Sequence, residues 1–344
     1  MHGTLARALH HAVCVFPKRA RCPGCPLLAR CTYPALFETP TNGDETLRAA
    51  GIRDQAPRPL VLAPEAGWTR SSGHPVALPA DAEVPARITL IGRAIDDLPI
   101  LVVALQHAAK RGLGVRDAAR HNEDARQRAA LHLVQITTGD DERIVYDATT
   151  DAYTPVPQSL STFSGSTLRQ AQGEWETLYS MDSATVRAEA LEARLRIGQQ
   201  SPQPAAGTGS GSGADTVALT FVTPLRLKQE GRFLSTVTPR DCCMALARRA
   251  NALSLLHGSG EPAVDEAAIA HLAANVVVEE THLRRVHVTR YSARQRQRVQ
   301  WPGLMGPMRW RGGALQDLWP LLRFGELVQV GKGAALGFGR YQIR

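Results

Sequence analysis

Four cysteines lie within the first 31 residues of this 344-residue chain. Cys22 and Cys25 form a C-x-x-C pair, which Cys14 precedes and Cys31 follows. Thiolates at this spacing commonly hold a tetrahedral zinc ion, whereas disulfides are rare in cytosolic proteins. The spacing therefore predicts a structural zinc ion bound by these four thiolates, with an iron–sulfur cluster or unligated thiols as the alternatives.

Two adjacent histidines, His10 and His11, are candidates for acid–base chemistry near neutral pH. They fall in a predicted helix from Gly3 to Val13. On a helical projection the apolar residues share one face, and both histidines lie on the other face with Arg7. Arg7 favours a neutral imidazole and is suited to contact a phosphate. The alternative is that both histidines are ordinary exposed helix residues.

The basic residues are concentrated at the C-terminal end. The formal net charge is +8, yet the segment from residue 281 onward holds 11 arginines and 1 lysine against 2 acidic residues. A clustered positive field is what a polyphosphate partner requires, and a solvated arginine-rich face is the alternative. The segment also contains His282 and His287, which are second candidates for an acid or base. The predicted phosphate contacts on it are Arg284, Arg285, Arg290, Arg294, Arg296 and Arg298.

A glycine-rich loop precedes the C-terminus, in the segment VGKGAALGFGRYQI. Glycines let a backbone approach a phosphate closely and offer it N–H groups, unless they only form a tight structural loop. The segment is not a Walker loop, because Lys332 is followed by Gly333, and it is too near the C-terminus for a dinucleotide fingerprint. The predicted phosphate-binding residues of the loop are Gly331, Lys332, Gly333, Gly337, Gly339 and Arg340.

Residues 198–215 contain almost only Gly, Ser, Pro, Ala and Gln, which predicts a flexible linker. The linker divides the chain into an N-terminal domain of residues 1–197 and a C-terminal domain of residues 216–344. In the C-terminal domain the order of predicted elements is strand, helix, strand, strand, helix, strand. That order is typical of a ferredoxin-like fold, whose open sheet face is free to meet RNA.

The signals for these C-terminal elements are local. Thr238, Pro239 and Asp241 favour the start of the first helix, which Gly258 ends. The strands are predicted from Val217, from Val286, around residues 308–311 and from Leu327. The second helix begins at Leu315 and is predicted to be interrupted by Pro320.

The N-terminal domain has a less regular pattern. After the helix from Gly3 come a strand from Arg87, a helix from Ile95 to Arg111 and a strand from Leu131. A second ferredoxin-like unit fits this order if its first strand is missing or precedes Met1.

Several segments, in this order along the chain, resemble one known protein family. They are CPGCPLLARCTYPALFE, ITLIGRAIDDLPILVVALQHAAKRGLG, LTFVTPLRLK, RYSARQRQRVQWPGLMG and VQVGKGAALGFGRYQI. On these segments the chain resembles the CRISPR-associated endoribonucleases of the RAMP superfamily, the repeat-associated mysterious proteins. Members of this family process precursor guide RNA.

The resemblance implies an α+β fold with tandem ferredoxin-like domains and a metal-independent endoribonuclease. The 2′-hydroxyl of the CRISPR repeat RNA would attack the adjacent phosphorus and leave a 2′,3′-cyclic phosphate. In the family the acid or base often lies at or just after the first helix, which is where His10 and His11 lie. Tyr33 is implied as an assistant, because several members use a tyrosine. Many members carry a histidine where this chain has Gln329.

The composition and the resemblance also limit the location and partners. Hydrophobic residues make up 44% of the chain, which fits a folded protein, and no apolar stretch is long enough to cross a bilayer. We expect a cytoplasmic monomer or homodimer that binds CRISPR repeat RNA and serves a CRISPR effector complex. The alternatives are a non-catalytic RAMP subunit that holds the repeat handle and a zinc-stabilised nucleic-acid binder of another kind.

Overall fold

The computed structural model describes residues 2–16, 22, 24–39, 45, 47, 56–64, 85–112, 132–137, 144–154, 215–292 and 297–344. The chain divides into two compact units, one of Met1–Leu60 with Leu90–Ala184 and one of Val61–Thr89 with Thr185–Arg344. A strand pair from the N-terminal half therefore groups with the C-terminal half. The predicted linker lies outside the described residues apart from Asp215, so the domain boundaries at 197 and 216 stay a prediction.

Three α-helices are described in the first unit. They are α1 (His2–Val13), α2 (Thr32–Phe37) and α3 (Leu98–Lys110). Leu5, Ala8 and Leu9 of α1 are buried, and α1 contacts both α3 and α2. The predicted apolar face of the first helix is thus its packing face. The helix predicted from Ile95 to Arg111 is confirmed as α3, which begins three residues later, at Leu98, after a 3-10 turn at Gly92–Ile95.

The described strands of the N-terminal half are short. β1 (Leu60–Pro64) pairs with β2 (Ala86–Leu90), which confirms the strand predicted from Arg87. A second, antiparallel sheet contains β3 (Gln135–Thr137), β4 (Ile144–Asp147) and β5 (Ala152–Tyr153). The α+β class is confirmed in this half by helices combined with these small sheets.

The C-terminal half is built around one antiparallel sheet. Its elements are β6 (Thr216–Leu225), β7 (Lys228–Gln229), β8 (Arg232–Phe233), α4 (Pro239–His257), α5 (Glu266–Ala274), β9 (Val277–Thr281), β10 (Arg284–Ser292), β11 (Gln297–Arg311), α6 (Leu315–Val328) and β12 (Tyr341–Ile343). The strand order is β10, β11, β6, β12, and β9 also pairs with β11. Numbered by their place in the motif, the strands run 4-1-3-2, which confirms the predicted ferredoxin-like arrangement.

Alternation along the strands decides which sheet face is buried. Leu219 and Phe221 of β6 and Met308 and Trp310 of β11 are buried, and the residues between them are more exposed. The predicted start of α4 is confirmed by a capping box, in which the side chains of Thr238 and Asp241 bond each other's backbone N–H. Such a cap stabilises a helix by about 1 kcal/mol. Within the described residues, no helix combines the length and apolarity that crossing a membrane requires.

Two predictions at the C-terminal end were wrong. The segment from Leu327 is not the last strand, since α6 continues to Val328 and the last strand is β12. Pro320 does not interrupt α6 but lies buried within it. Residues 327–330 are buried. Burial is compatible with a helix end and with a strand alike, so the hydrophobicity of this segment alone did not distinguish the two.

Gly325 gives the first testable prediction, because it allows α6 to pack closely on its neighbours. A Cβ at Gly325 would collide with the Tyr341 hydroxyl, which donates to the Leu322 carbonyl, and with the side chain of Leu246. We therefore expect Gly325→Ala to lower the free energy of unfolding, although alanine normally favours a helix by about 1 kcal/mol over glycine.

Chemical denaturation measures this change. Gly313→Ala is the matched control, because a Cβ at Gly313 meets nothing within 4 Å. An increase in stability on Gly325→Ala would contradict the packing described here.

Candidate functional site

His10 and Tyr33 face each other in the first unit. Their ring centroids are 4.8 Å apart with an interplanar angle of 80°, an edge-to-face arrangement. His10 is half-buried, whereas His11 is exposed, with its ring centroid 6.3 Å from that of His10. Arg7, one turn before His10, is also exposed. The structure thus separates the two histidines that the sequence left equivalent.

Tyr33 is a proton donor at neutral pH. Burial, followed by the nearby Glu38 carboxylate, raises the pKa of the Tyr33 phenol to about 12. Its ring stacks on Phe37, with centroids 6.0 Å apart. The phenol is therefore held in place and protonated beside His10.

The four cysteines line one pocket together with His10 and Tyr33. Cys25 N–H donates to the Cys22 carbonyl at 2.9 Å, so the C-x-x-C pair forms a turn. Burial, followed by Glu38, raises the pKa of Cys22 to about 11, and burial also raises that of Cys31. Within the described residues no three His, Cys, Asp or Glu side chains are arranged to hold a metal ion. The predicted zinc site at Cys14, Cys22, Cys25 and Cys31 is therefore not supported.

In the second unit, the glycine-rich loop is hydrogen-bonded to the end of β6. Arg340 N–H donates to the Thr223 hydroxyl at 2.8 Å, and the Arg340 carbonyl accepts from Val222 N–H at 3.0 Å. Gly339 N–H donates to the Pro224 carbonyl at 3.0 Å, and Lys332 N–H donates to the Arg226 carbonyl at 2.8 Å. The segment VTPLR, which drew attention only through the resemblance, is the support on which the loop is built.

The buried side chain of Gln329 stabilises the glycine-rich loop through hydrogen bonds. It is fully buried with φ +62°. With its amide oriented to satisfy hydrogen bonding, its nitrogen donates to the carbonyls of Ala334 and Phe338, each at 2.9 Å. A neutral histidine has one ring N–H and could not make both bonds. Glutamine, in place of the histidine that many family members carry here, therefore allows one side chain to bond both carbonyls of the loop.

Most amides of the loop are already bonded within the protein. Besides those of Lys332, Gly339 and Arg340, Leu336 and Phe338 N–H both donate to the Gly333 carbonyl, and Gly337 N–H donates to Ala334. The glycines therefore shape the loop; the Gly337 N–H donates within the loop, and the Gly339 N–H donates to β6. The Lys332 side chain is exposed and carries positive charge out of the loop.

Four of the six predicted arginines of this segment lie on β10 and β11. Arg284, Arg285 and His287 are exposed on β10, and His282 bonds the Glu280 carboxylate at 2.6 Å, which lowers the pKa of Glu280. In the backbone register, Arg290 of β10 pairs with Val299 of β11, and Arg298 of β11 pairs with Tyr291 of β10. Arg294 and Arg296 lie outside the described residues.

Further cations on the same unit were not among the predicted phosphate contacts. Arg309 and Arg311 are exposed on β11, because they alternate with the buried Met308 and Trp310, and Arg311 lies 3.5 Å from the Glu279 carboxylate. The alternation in MRWR was the available signal. Arg226 was also missed, since no local pattern shows that its side chain turns inward.

Gly339 yields the prediction for this loop. Its φ is +73°, and a Cβ there would collide with the Val330 carbonyl. We expect Gly339→Ala to lower stability by more than the roughly 1–2 kcal/mol that a left-handed backbone costs an alanine. Gly333→Ala is the matched control, because φ is +91° there but the nearest contact is the Phe338 ring at 3.3 Å. Equal losses in thermal denaturation would contradict the role assigned to the Val330 contact.

Solved structures similar to this chain include Cas6 proteins. A Cas6 product complex from Thermus thermophilus is 15% identical, with 100% of this chain and 92% of that chain covered and a TM-score of 0.48. A second Cas6 product complex is 16% identical over 87% of this chain and 89% of that chain, with a TM-score of 0.42. A partial Cas6-RT-Cas1–Cas2 complex is 11% identical, covering 88% and 42%, also with a TM-score of 0.42. Likenesses this low do not by themselves establish function.

Two family models match the chain. Residues 1–159 match the N-terminal domain AF_1859_N, and residues 219–341 match the CRISPR-associated endoribonuclease Cas6. Among the curated proteins nothing matches. The second match covers most of the C-terminal sheet and the glycine-rich loop. Residues 219–341 of this chain are therefore similar to the CRISPR-associated endoribonuclease Cas6 family.

Proposed function

We propose that the protein cuts CRISPR repeat RNA by a metal-independent transesterification. The match of residues 219–341 to the Cas6 family carries this proposal. In the reaction the 2′-oxygen forms a bond to the adjacent phosphorus, and the bond from phosphorus to the 5′-oxygen breaks. A base takes the 2′-hydroxyl proton and an acid gives a proton to the departing oxygen. The products are a 2′,3′-cyclic phosphate and a 5′-hydroxyl.

We assign one of these two proton transfers to His10, which would act as the base or as the acid. It is half-buried against Tyr33, which limits its side-chain freedom, and it faces the same pocket as the thiols. An imidazole can act as base or acid near neutral pH. Arg7, exposed on the same helix, would stabilise the charge that develops on the phosphate. His11 is exposed and, unlike His10, does not line the pocket with Tyr33 and the thiols, so it serves as a control.

The glycine-rich loop and the arginines of β10 are assigned to binding. Lys332, Arg284 and Arg285 extend into solvent, where they can pair with backbone phosphates. Phosphate contacts fix the position of an RNA but do not read its sequence. After cleavage the protein would keep the repeat handle and pass it to a CRISPR effector complex.

The test is cleavage of repeat RNA, transcribed from the CRISPR array of the same genome, in the presence of EDTA. We expect the wild type to cut once per repeat and leave a cyclic phosphate, identified by mapping the product ends. His10→Ala should lower the single-turnover rate by about 10²–10⁴-fold, the usual contribution of acid–base catalysis. His11→Ala should cut at nearly the wild-type rate, and both variants should bind RNA normally.

Two outcomes would change the assignment. If His10→Ala cuts like the wild type, the acid or base lies elsewhere, and His282 and His287 are then the residues to replace. If the wild type binds repeat RNA and never cuts it, the protein is a binding subunit for the repeat handle rather than a nuclease.

A further inference from the structure

Arg226 has an unusual environment for a cation. Arg226 is only 7% exposed, and its guanidinium carbon lies 4.5 Å from the ring centroids of both Phe233 and Trp301. The Phe338 ring is 5.7 Å away, and Nε donates to the Pro302 carbonyl at 3.0 Å. Aromatic rings attract a cation over their faces. The guanidinium is therefore held against aromatic rings of the protein itself.

Among the described residues, no carboxylate neutralises the positive charge of Arg226. In the described part of the chain no acidic side chain forms an ion pair with it, and burial lowers its pKa without removing the charge near neutral pH. A buried charge without a partner is costly, which makes a bound anion favourable.

A second cation contacts the same ring. Lys228 Nζ lies 4.7 Å from the centroid of Phe233. Because positions two apart on an extended chain point to the same side, Arg226 and Lys228 concentrate positive charge there. An anion placed against both would relieve their mutual repulsion.

The hairpin of β7 and β8 adds exposed charge and is fixed to the glycine-rich loop. Lys228 pairs with Phe233 and Gln229 with Arg232, and Lys228 and Arg232 are exposed. Residue 226 joins the hairpin to the loop, since its carbonyl accepts from Lys332 N–H at 2.8 Å and it bridges to Gly331. The turn itself holds one acidic residue, Glu230.

We propose that the hairpin Lys228–Phe233, with Arg226 and Lys332, forms a binding subsite for a backbone phosphate of the RNA. The proposal rests on the proposed function, because it takes RNA as the ligand. Phosphate rather than base is inferred because the guanidinium of Arg226 already contacts the rings of Phe233 and Trp301, and because Lys228, Arg232 and Lys332 add exposed positive charge around it. A guanidinium edge matches phosphate oxygens in geometry and charge.

The experiment measures the salt dependence of binding to repeat RNA by fluorescence anisotropy. The variant Lys228→Gln/Arg232→Gln removes only exposed charge and should leave folding intact. We expect weaker binding and a log K versus log salt slope that is reduced by about 0.7 for each lost phosphate contact on single-stranded RNA. The matched control is Arg248→Gln on α4, where the side chain is 68% exposed. It should leave the slope unchanged.

Glu230→Gln tests the same subsite with the opposite sign. Removing this carboxylate should strengthen binding if a phosphate lies beside the hairpin. Arg226→Lys keeps the charge but loses the fork of N–H donors, so binding should weaken while thermal denaturation reports any separate loss of packing.

An unchanged slope in the double variant, together with no effect of Glu230→Gln, would overturn the subsite. The cleavage assay is a separate readout. A wild type that binds with the full slope but never cuts overturns the proposed nuclease activity and leaves the subsite standing. Normal cleavage by the wild type, together with an unchanged slope in the double variant, overturns the subsite and leaves the proposed nuclease activity standing.

Discussion

The hydrogen bonds between the end of β6 and the glycine-rich loop fix the conformation of the loop and the position of the last strand. Thr223, Pro224 and Arg226 accept the N–H groups of Arg340, Gly339 and Lys332, respectively. These bonds place β12 beside β6, because Tyr341 follows directly and pairs with Phe221. They also leave the loop compact, with its side chains rather than most of its amides facing solvent. The sheet order and the loop are thus consequences of the same set of contacts.

Helix α6 is held to this loop at its C-terminal end. Arg249 on α4 donates from Nε to the Val328 carbonyl at 2.8 Å, which is favourable because the C-terminal end of a helix carries partial negative charge. Gln329 follows with φ +62° and turns its amide into the loop. A non-glycine residue in the left-handed region is strained, and the two hydrogen bonds of its side chain offset that strain. The packing of both helices is therefore linked to the conformation of the loop.

The first unit supplies a different kind of environment. Its pocket brings an imidazole and a phenol together with four thiols, and burial keeps the phenol and the Cys22 thiol protonated near neutral pH. A protonated phenol can donate a hydrogen bond but cannot act as a base. The Tyr33 phenol is therefore available only as a hydrogen-bond or proton donor, and the proposal assigns proton transfer to His10. The second unit offers positive charge instead, so in the proposed function chemistry and phosphate binding are assigned to different units.

The sequence by itself determined the features that depend on local spacing. The cap at Thr238, the strand from Val217, the buried face of α1 and the element order of the C-terminal domain were all predicted, because each follows from neighbours in the chain. The sequence could not separate a helix end from a strand at Leu327, since a fully buried apolar run satisfies both. Nor could it distinguish His10 from His11, because both lie on the polar side of α1 and only the contact with Tyr33, 23 residues later, separates them. Only the tertiary structure decided that Arg226 turns inward against Phe233 and Trp301, since Trp301 lies 75 residues later, on β11. Contacts between residues far apart in the chain leave no local pattern, and these contacts shape the candidate sites.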